Sequence, residues 1–359
     1  MHIGIDISPI IYETGVSWYV YHLVKNLLLL DKANDYILFG GSLRRYSDFK
    51  KKTVGFRGSF RTRFLPLPPT LLGFMWNTLH TLPVESLVGP VDVFHSSDWT
   101  QPPTKSFKVT TIHDLTPIKY PELSHPRIVS VHTSRFKWIK KEADAVIVPS
   151  QSTKKDLLEL DISESKIFVI PEATDPMMKP AGREEVQKLK RRYRISGKFL
   201  LAVGIAERKN IERVIEAFER VRAGQDLRLV IVGEQRVYIE PSRGVIFVGH
   251  VPFHELPAFY TGAEAFIYPS LYEGFGLPIL EAYACGTPVV TSNLSSMPEI
   301  ARDGAILVDP YSVDAIAEGI NSALQGAQEL IKKGKERVKD FSWRKSAEMT
   351  LAVYQKSLG

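Results

Sequence analysis

One run constrains the fold more than any other: Ala265-Phe-Ile-Tyr268 followed by Pro269-Ser-Leu-Tyr-Glu-Gly-Phe-Gly-Leu-Pro-Ile-Leu-Glu-Ala-Tyr-Ala-Cys-Gly-Thr-Pro-Val-Val-Thr-Ser292. It reads as strand, glycine-bearing turn, helix and strand. Gly274 and Gly276 let the backbone turn sharply and lie close to a ligand. Pro278 suits the first helical position, where its missing N–H costs nothing. The remaining N–H groups of the first helical turn point outward with partial positive charge, which suits a phosphate. Gly286, after Cys285, is the residue expected to cap the helix, and Val289-Val290 opens the next strand.

Two carboxylates are fixed relative to this turn. Glu273 precedes it and Glu281 lies one turn into the helix, with seven residues between them. Ligands of open α/β sheets sit outside the carboxyl ends of strands, so Glu273 belongs at a cleft and Glu281 beside the anion site. Acids flanking a phosphate site suit hydroxyl groups, as on a sugar or a ribose.

The rest of the chain repeats the alternation of strand and helix, which predicts parallel sheets. At 359 residues, two domains are expected. The first is read as residues 1–172 with a returning C-terminal helix at about 344–359. The second is read as residues 173–343, entered through the proline-rich crossing Pro171 to Gly182. His2 to Ser8 is an apolar first strand, and Gly15 stands just ahead of a helix, where it lets the backbone approach a ligand. His113 and Asp114 end a strand in cleft position. In the second half, Lys198 to Gly204 is a strand leading to Arg208-Lys209-Asn210 and a helix. Two cations beside a helix amino end make an anion site, and Asn210 is a good cap. Ser152 is read as the cap of the helix after Ala145 to Ser150.

Composition narrows the classes. Hydrophobic content of 44% and charged content of 24% are those of a globular protein. Cys285 is the single cysteine, so no internal disulfide forms and a reducing cytosol is expected. Its apolar context favours packing over nucleophilic chemistry. No stretch reaches a membrane span, and Met1-His-Ile-Gly-Ile enters a strand at once, so no signal peptide is expected. The formal charge of +6 fits an anionic donor, a membrane or nucleic acid, but no nucleic-acid module is present. Residues 44–63 hold eight Arg or Lys and one acid, ahead of the apolar Leu71-Leu-Gly-Phe-Met-Trp76. That pairing suits either an anionic membrane surface or lipid-diphosphate acceptor, or a solvated face before a buried helix. There is no G-x-G-x-x-G after the first strand, no G-x-x-x-x-G-K-[ST], and no D-x-D.

The run Glu-Gly-Phe-Gly-Leu-Pro-Ile-Leu-Glu-Ala-Tyr-Ala-Cys-Gly-Thr-Pro-Val-Val resembles the signature of glycosyltransferase family 4, with its E-x7-E motif. Arg208-Lys209-Asn210 resembles the family's R-K-N segment. Ile112-His-Asp-Leu-Thr-Pro117 resembles the corresponding segment of bacterial mannosyltransferases of polysaccharide and lipopolysaccharide synthesis. The resemblance implies a GT-B fold, two Rossmann-like domains facing across a cleft, and a retaining hexosyl transfer from a nucleotide-sugar without a divalent metal. It assigns Arg208 and Lys209 to the donor diphosphate, with the backbone of Gly274, Phe275, Gly276 and Leu277. Glu273 and His113 would hold the donor sugar, Glu281 the ribose, His250 and Val251 the base edge, and Tyr272 and Gly15 further donor contacts. Glu273, Arg208, Lys209 and His113 form the expected catalytic set. GDP-mannose is the favoured donor and a glycan or lipid-linked hydroxyl the acceptor. The protein is expected in the cytoplasm, peripheral on the inner membrane face if the basic segment meets lipid. The chain departs from the family pattern in two places. Thr14 stands where a second glycine is usual beside Gly15, and Glu172-Ala173 replaces Asn-Gly, read as a detail of the hinge. Alternatives are a UDP-sugar-dependent transferase, an NDP-sugar epimerase and a non-catalytic sugar- or lipid-binding protein on the same scaffold.

Overall fold

The computed structural model describes residues 1–223, 226–234, 240 and 242–358. The chain divides into one unit of Met1–Glu172 with Ser342–Gly359 and a second of Ala173–Phe341. The returning segment, expected from about 344, starts at Ser342. The Ser342 hydroxyl accepts from the Lys345 amide and caps the helix Trp343–Gln355, so the break precedes the cap.

The first unit holds seven strands, each paired parallel to its neighbours: β1 (His2–Asp6), β2 (Asp35–Gly41), β3 (Phe60–Leu65), β4 (Val93–Ser96), β5 (Phe107–Thr111), β6 (Ala145–Val148) and β7 (Ile167–Val169). Their spatial order is β3-β2-β1-β4-β5-β6-β7. β1 pairs with β2 on one side and β4 on the other, with Ile3 opposite Tyr36 and Val93. The order reverses there, which opens a crevice at the carboxyl ends of β1 and β4. Ile3, Ile5, Val93 and Phe94 are buried, as expected for strands covered on both faces. β3 forms the edge, and its Arg61 and Arg63 are exposed. Residues 44–63 thus make a short helix, Tyr46–Thr53, and that edge strand.

The C-terminal helix is tied into the first unit by Tyr354, whose hydroxyl lies 2.7 Å from His95 Nδ1. His95 Nε2 lies 2.9 Å from Thr111 Oγ1, and burial drives its pKa down to about 3, so this histidine is a neutral structural link.

The second unit repeats the plan with six strands: β8 (Lys198–Val203), β9 (Leu227–Val232), β10 (Val245–Gly249), β11 (Ala265–Tyr268), β12 (Val289–Ser292) and β13 (Ala305–Val308). The order is β10-β9-β8-β11-β12-β13, again parallel, with its reversal between β8 and β11. Two apolar cores cover the sheet's faces. One is built on Phe199, Phe259, Phe266 and Tyr283, the other on the helix Ile211–Val221. That helix buries Ile211, Val214, Ile215 and Phe218, a single face at helical spacing. Its position against the sheet fixes the residues at its amino end.

Candidate functional site

The reversal between β8 and β11 decides what meets in the second unit. The connection after β8 carries Arg208 and Lys209. The connection after β11 carries Glu273. Because these strands are neighbours, two segments about 64 residues apart come together. Lys209 Nζ lies 2.6 Å from Glu273 Oε1, and an Arg208 Nη1 contact reaches the same oxygen. Ser270 Oγ donates to it as well, at 2.7 Å. Lys209 also donates to Tyr268 Oη at 2.5 Å and lies over that ring.

Glu273 is nearly fully buried. Burial alone would raise its pKa, but Arg208 and Lys209 outweigh that and hold it at about 2. The carboxylate is therefore ionised at any physiological pH. The Glu273 carbonyl accepts from Ser295 Oγ at 2.6 Å and from Ser296 Oγ at 2.9 Å, which pins the turn. Tyr272 is buried, and its carbonyl accepts from Arg208 at 3.3 Å.

The turn itself ends at Gly276, whose φ of +101° is strained for any residue with a Cβ. The helix Leu277–Cys285 starts immediately after, so Leu277 takes the first position and Pro278 the second, where its N–H would still have no partner in the helix; it ends on Gly286 at φ +77°. Its amino end sits at the same sheet edge as Arg208 and Lys209. Positive side chains, the positive end of a nine-residue helix and a buried carboxylate thus share one place.

Glu281 lies inside that helix and is buried; Tyr260 Oη donates to its Oε2 at 2.8 Å. Burial pushes its pKa up to about 7, against the opposing pull of the Tyr260 hydrogen bond and of Lys209. The two acids of the E-x7-E pair are thus in opposite states near neutrality: Glu273 fixed as an anion, Glu281 near its midpoint. His250 and Val251 follow β10 at the carboxyl edge of the same sheet, His250 exposed and Val251 buried. Cys285 is buried, its Sγ donates to the Lys179 carbonyl at 3.6 Å, and burial pushes its thiol up to about 12, which fits packing and not nucleophilic chemistry.

Two details differ from the sequence reading. Asn210 stands at the amino end of its helix but does not cap it through its side chain. It adopts φ +61°, and its Nδ2 donates to the carbonyls of Pro269 at 3.1 Å and Pro310 at 2.6 Å. It laces three loops at the carboxyl end of the sheet. In the first unit, Ser150 rather than Ser152 caps the helix Gln151–Glu159, because its hydroxyl accepts from the Thr153 amide.

Two concavities of several hundred Å³ lie among the described residues of the first unit. One, of about 830 Å³, is lined by Asp92, Lys105 and Phe107 at the amino ends of β4 and β5. The other, of about 770 Å³, lies at the carboxyl ends of β1 and β4, where ligands of such sheets bind. Its floor carries Asp6, Ser97, Thr100 and Asn77, and its walls Tyr12, Leu72, Phe74, Trp76, Trp99 and Ile128. Asp6 is buried, and burial raises its pKa. Thr14 and Gly15 open the helix Gly15–Leu30 beside this cavity. Thr14 accepts from the Ser17 amide and caps it, while a Cβ on Gly15 would meet no protein atom. Packing thus places no demand for glycine at position 15. Phe74 and Leu71 are exposed, whereas Trp76 is fully buried, so the apolar stretch after the basic segment is part rim and part core.

His113 follows β5 and is largely buried, its ring edge-on to Tyr19 at 4.5 Å between centroids. Its Nδ1 lies 2.8 Å from Glu172 Oε1. Asp114 instead caps its own turn, accepting from the Thr116 amide. Glu172, the buried Arg135, which donates to Thr110 and Thr111, and the serines that bond Glu273 are polar residues that the sequence reading missed. Glu172 was visible only as a departure from the family pattern, and Arg135 was indistinguishable from the other cations of the helix Pro126–Glu142.

The model for glycosyl transferases group 1 matches residues 186–339, and that for glycosyltransferase family 4 matches residues 14–177. The chain is 28% identical to O-antigen chain mannosyltransferase B of Escherichia coli, over 97% of this chain and 98% of that protein. It is 30% identical to the serotype-specific mannosyltransferase WbdA of Escherichia coli, over 70% of this chain and 33% of that longer protein. Sucrose-phosphate synthase (tll1590) from Thermosynechococcus elongatus shares the fold with a TM-score of 0.74 at 20% identity, covering 100% of this chain and 99% of the other. With both parallel sheets, the site built on the E-x7-E turn and these matches together, the chain carries a glycosyltransferase family 4 domain in its first half and a glycosyl transferases group 1 domain in its second, and is a glycosyltransferase of the GT-B fold.

Proposed function

We propose that this enzyme moves a mannosyl group from GDP-mannose to a hydroxyl of a glycan or lipid-linked acceptor, with retention at the anomeric carbon. The observation that carries the reading is the meeting of Arg208, Lys209 and Glu273 at the amino end of the helix Leu277–Cys285. The names of the two Escherichia coli mannosyltransferases support mannose as the sugar.

In the reaction the bond from the anomeric carbon to the phosphate oxygen breaks and a bond to the acceptor oxygen forms. Charge grows on the departing diphosphate. Arg208, Lys209 and the amides of Phe275 and Leu277 neutralise it, and a donor preorganised toward developing charge contributes about 3–4 kcal/mol. No divalent metal is required in this scheme. The acceptor proton passes to an oxygen of the leaving phosphate, so no dedicated protein base is needed. Glu273 accepts from hydroxyls of the donor sugar, and its fixed negative charge favours the oxocarbenium character of that sugar. Glu281 accepts from the ribose, and His250 with Val251 borders the base. His113 contacts the sugar, with Gly15 and Tyr272 as further donor contacts. The acceptor occupies the 770 Å³ cavity of the first unit, where aromatic walls suit the apolar faces of a sugar and Asp6 its hydroxyls.

Calorimetry with GDP and UDP tests the donor. Tight GDP binding with weak UDP binding is expected, and the reverse overturns GDP-mannose. Incubation with nucleotide-sugars alone is expected to give slow hydrolysis; interconversion of two nucleotide-sugars would make the enzyme an epimerase instead.

A further inference from the structure

The polar group that the function leaves unused is Glu172. It is the last residue of the first unit before the chain passes into the second, and it is 8% exposed. Its Oε1 lies 2.8 Å from Nδ1 of His113, 59 residues earlier in the chain. A carboxylate at that distance accepts the Nδ1 proton, so Nδ1 stays protonated in both charge states of the ring. Only Nε2 then titrates. Tyr19 packs edge-on against the ring and holds its plane.

We infer that Glu172 is a positioning residue for His113: it keeps the proton on Nδ1 and stabilises the imidazolium, so that Nε2–H becomes a charge-assisted donor to the transferred sugar. The inference rests on the sugar contact proposed above for His113. It assigns a role to a residue that, in this sequence, stands where the family pattern has asparagine. An asparagine can orient the ring but cannot stabilise its positive charge; a glutamate does both.

The surroundings agree in direction. Burial alone would lower the pKa of His113. The hydrogen bond and charge of Glu172, with Asp98 and Asp114 adding to them, raise it above its ordinary value. On the opposing side stand the cationic Arg135 and the neighbouring rings of His95 and His132, and both of those histidines have their own pKa values lowered, so they contribute little positive charge near neutrality. A raised histidine pKa means the cationic form is present at low pH and is lost as pH rises through that pKa. The sugar contact should therefore weaken at alkaline pH.

The test uses the full chain labelled with ¹⁵N-histidine, with Glu172→Gln and, as a second variant, Glu172→Asn; His113→Gln assigns the signal. In the parent protein, His113 should keep a protonated Nδ1 throughout its titration. In Glu172→Gln its midpoint should fall by about one pH unit or more, the size expected for loss of an adjacent opposite charge. The alkaline limb of kcat/KM for the nucleotide-sugar should move down by the same amount, while affinity for the free nucleoside diphosphate stays unchanged. Coincident His113 titrations in parent and variant overturn the pairing. A moved titration with an unmoved kinetic limb overturns the positioning role. If the parent turns over no nucleotide-sugar, the transferase reading fails and with it the proposed role of Glu172, whereas a turnover-competent parent with an unmoved limb overturns that role alone.

Discussion

Glu273 Oε1 receives donors from three side chains, Arg208, Lys209 and Ser270, in a nearly dry setting. Removing the carboxylate would leave two cations without their anion. Glu273→Ala is therefore expected to lower stability by about 3 kcal/mol, at the low end for a broken buried pair because Arg208 keeps partial exposure; thermal or urea unfolding measures it. The sign with pH follows from the depressed pKa: this stability is present above the ordinary carboxylate range and is lost as pH falls toward 2. Glu281 behaves in the opposite sense. Its pKa of about 7 makes it increasingly ionised from pH 6 to 8, and the ionised form is the stronger acceptor for the ribose hydroxyls proposed to meet it. GDP affinity should rise across that window and the rise should vanish in Glu281→Gln, as titration calorimetry at several pH values would show; a rise that survives the substitution refutes the ribose contact. The residue types at this site were legible in the sequence, because a glycine turn, a proline and two acids at fixed spacing imply a local structure. The ion pairs were not. Arg208 and Glu273 meet only because β8 and β11 are neighbours, and strand order is not written in any local segment.

At the scale of elements, Asn210 shows how the site's loops are held. Its side chain serves two carbonyls on other loops, and its backbone is left-handed. Glycine and alanine both remove the two hydrogen bonds, but only alanine adds the left-handed strain. Asn210→Ala should therefore be less stable than Asn210→Gly by about 1 kcal/mol, and equal denaturation midpoints would show that the strain is unimportant. The C-terminal helix is held by the buried Tyr354–His95 link, beside the Ser346 hydroxyl on the Pro171 carbonyl and Trp343 against Tyr19. Tyr354→Phe leaves His95 Nδ1 without that partner and should cost about 1–3 kcal/mol, read by denaturant unfolding. The edge strand β3 and the exposed Leu71 and Phe74 offer a test of membrane contact. Co-sedimentation with anionic but not zwitterionic vesicles, weakened in an Arg61→Glu, Arg63→Glu double variant, is the expected result. The alternation of strands and helices was legible because parallel strands are uniformly apolar and their helices one-sided. The helix caps at Ser150 and Asn210 were not, since serine and asparagine recur near those ends and only geometry selects which one bonds.

For the whole chain, the division into two parallel-sheet units follows from length and from the proline-rich crossing, and each unit carries its own core. Among the described residues, no helix is long and apolar enough to cross a membrane. The +6 formal charge suits an anionic donor, and Arg208 and Lys209 are paired with a buried carboxylate instead of lying free on the surface. The central claim is that these two cations neutralise the diphosphate as the sugar departs. It is tested most directly by kcat of Arg208→Ala at saturating nucleotide-sugar, with circular dichroism to confirm the fold. A loss of at least about a hundredfold is predicted, the effect of removing one preorganised donor; a folded variant with unchanged kcat would contradict it.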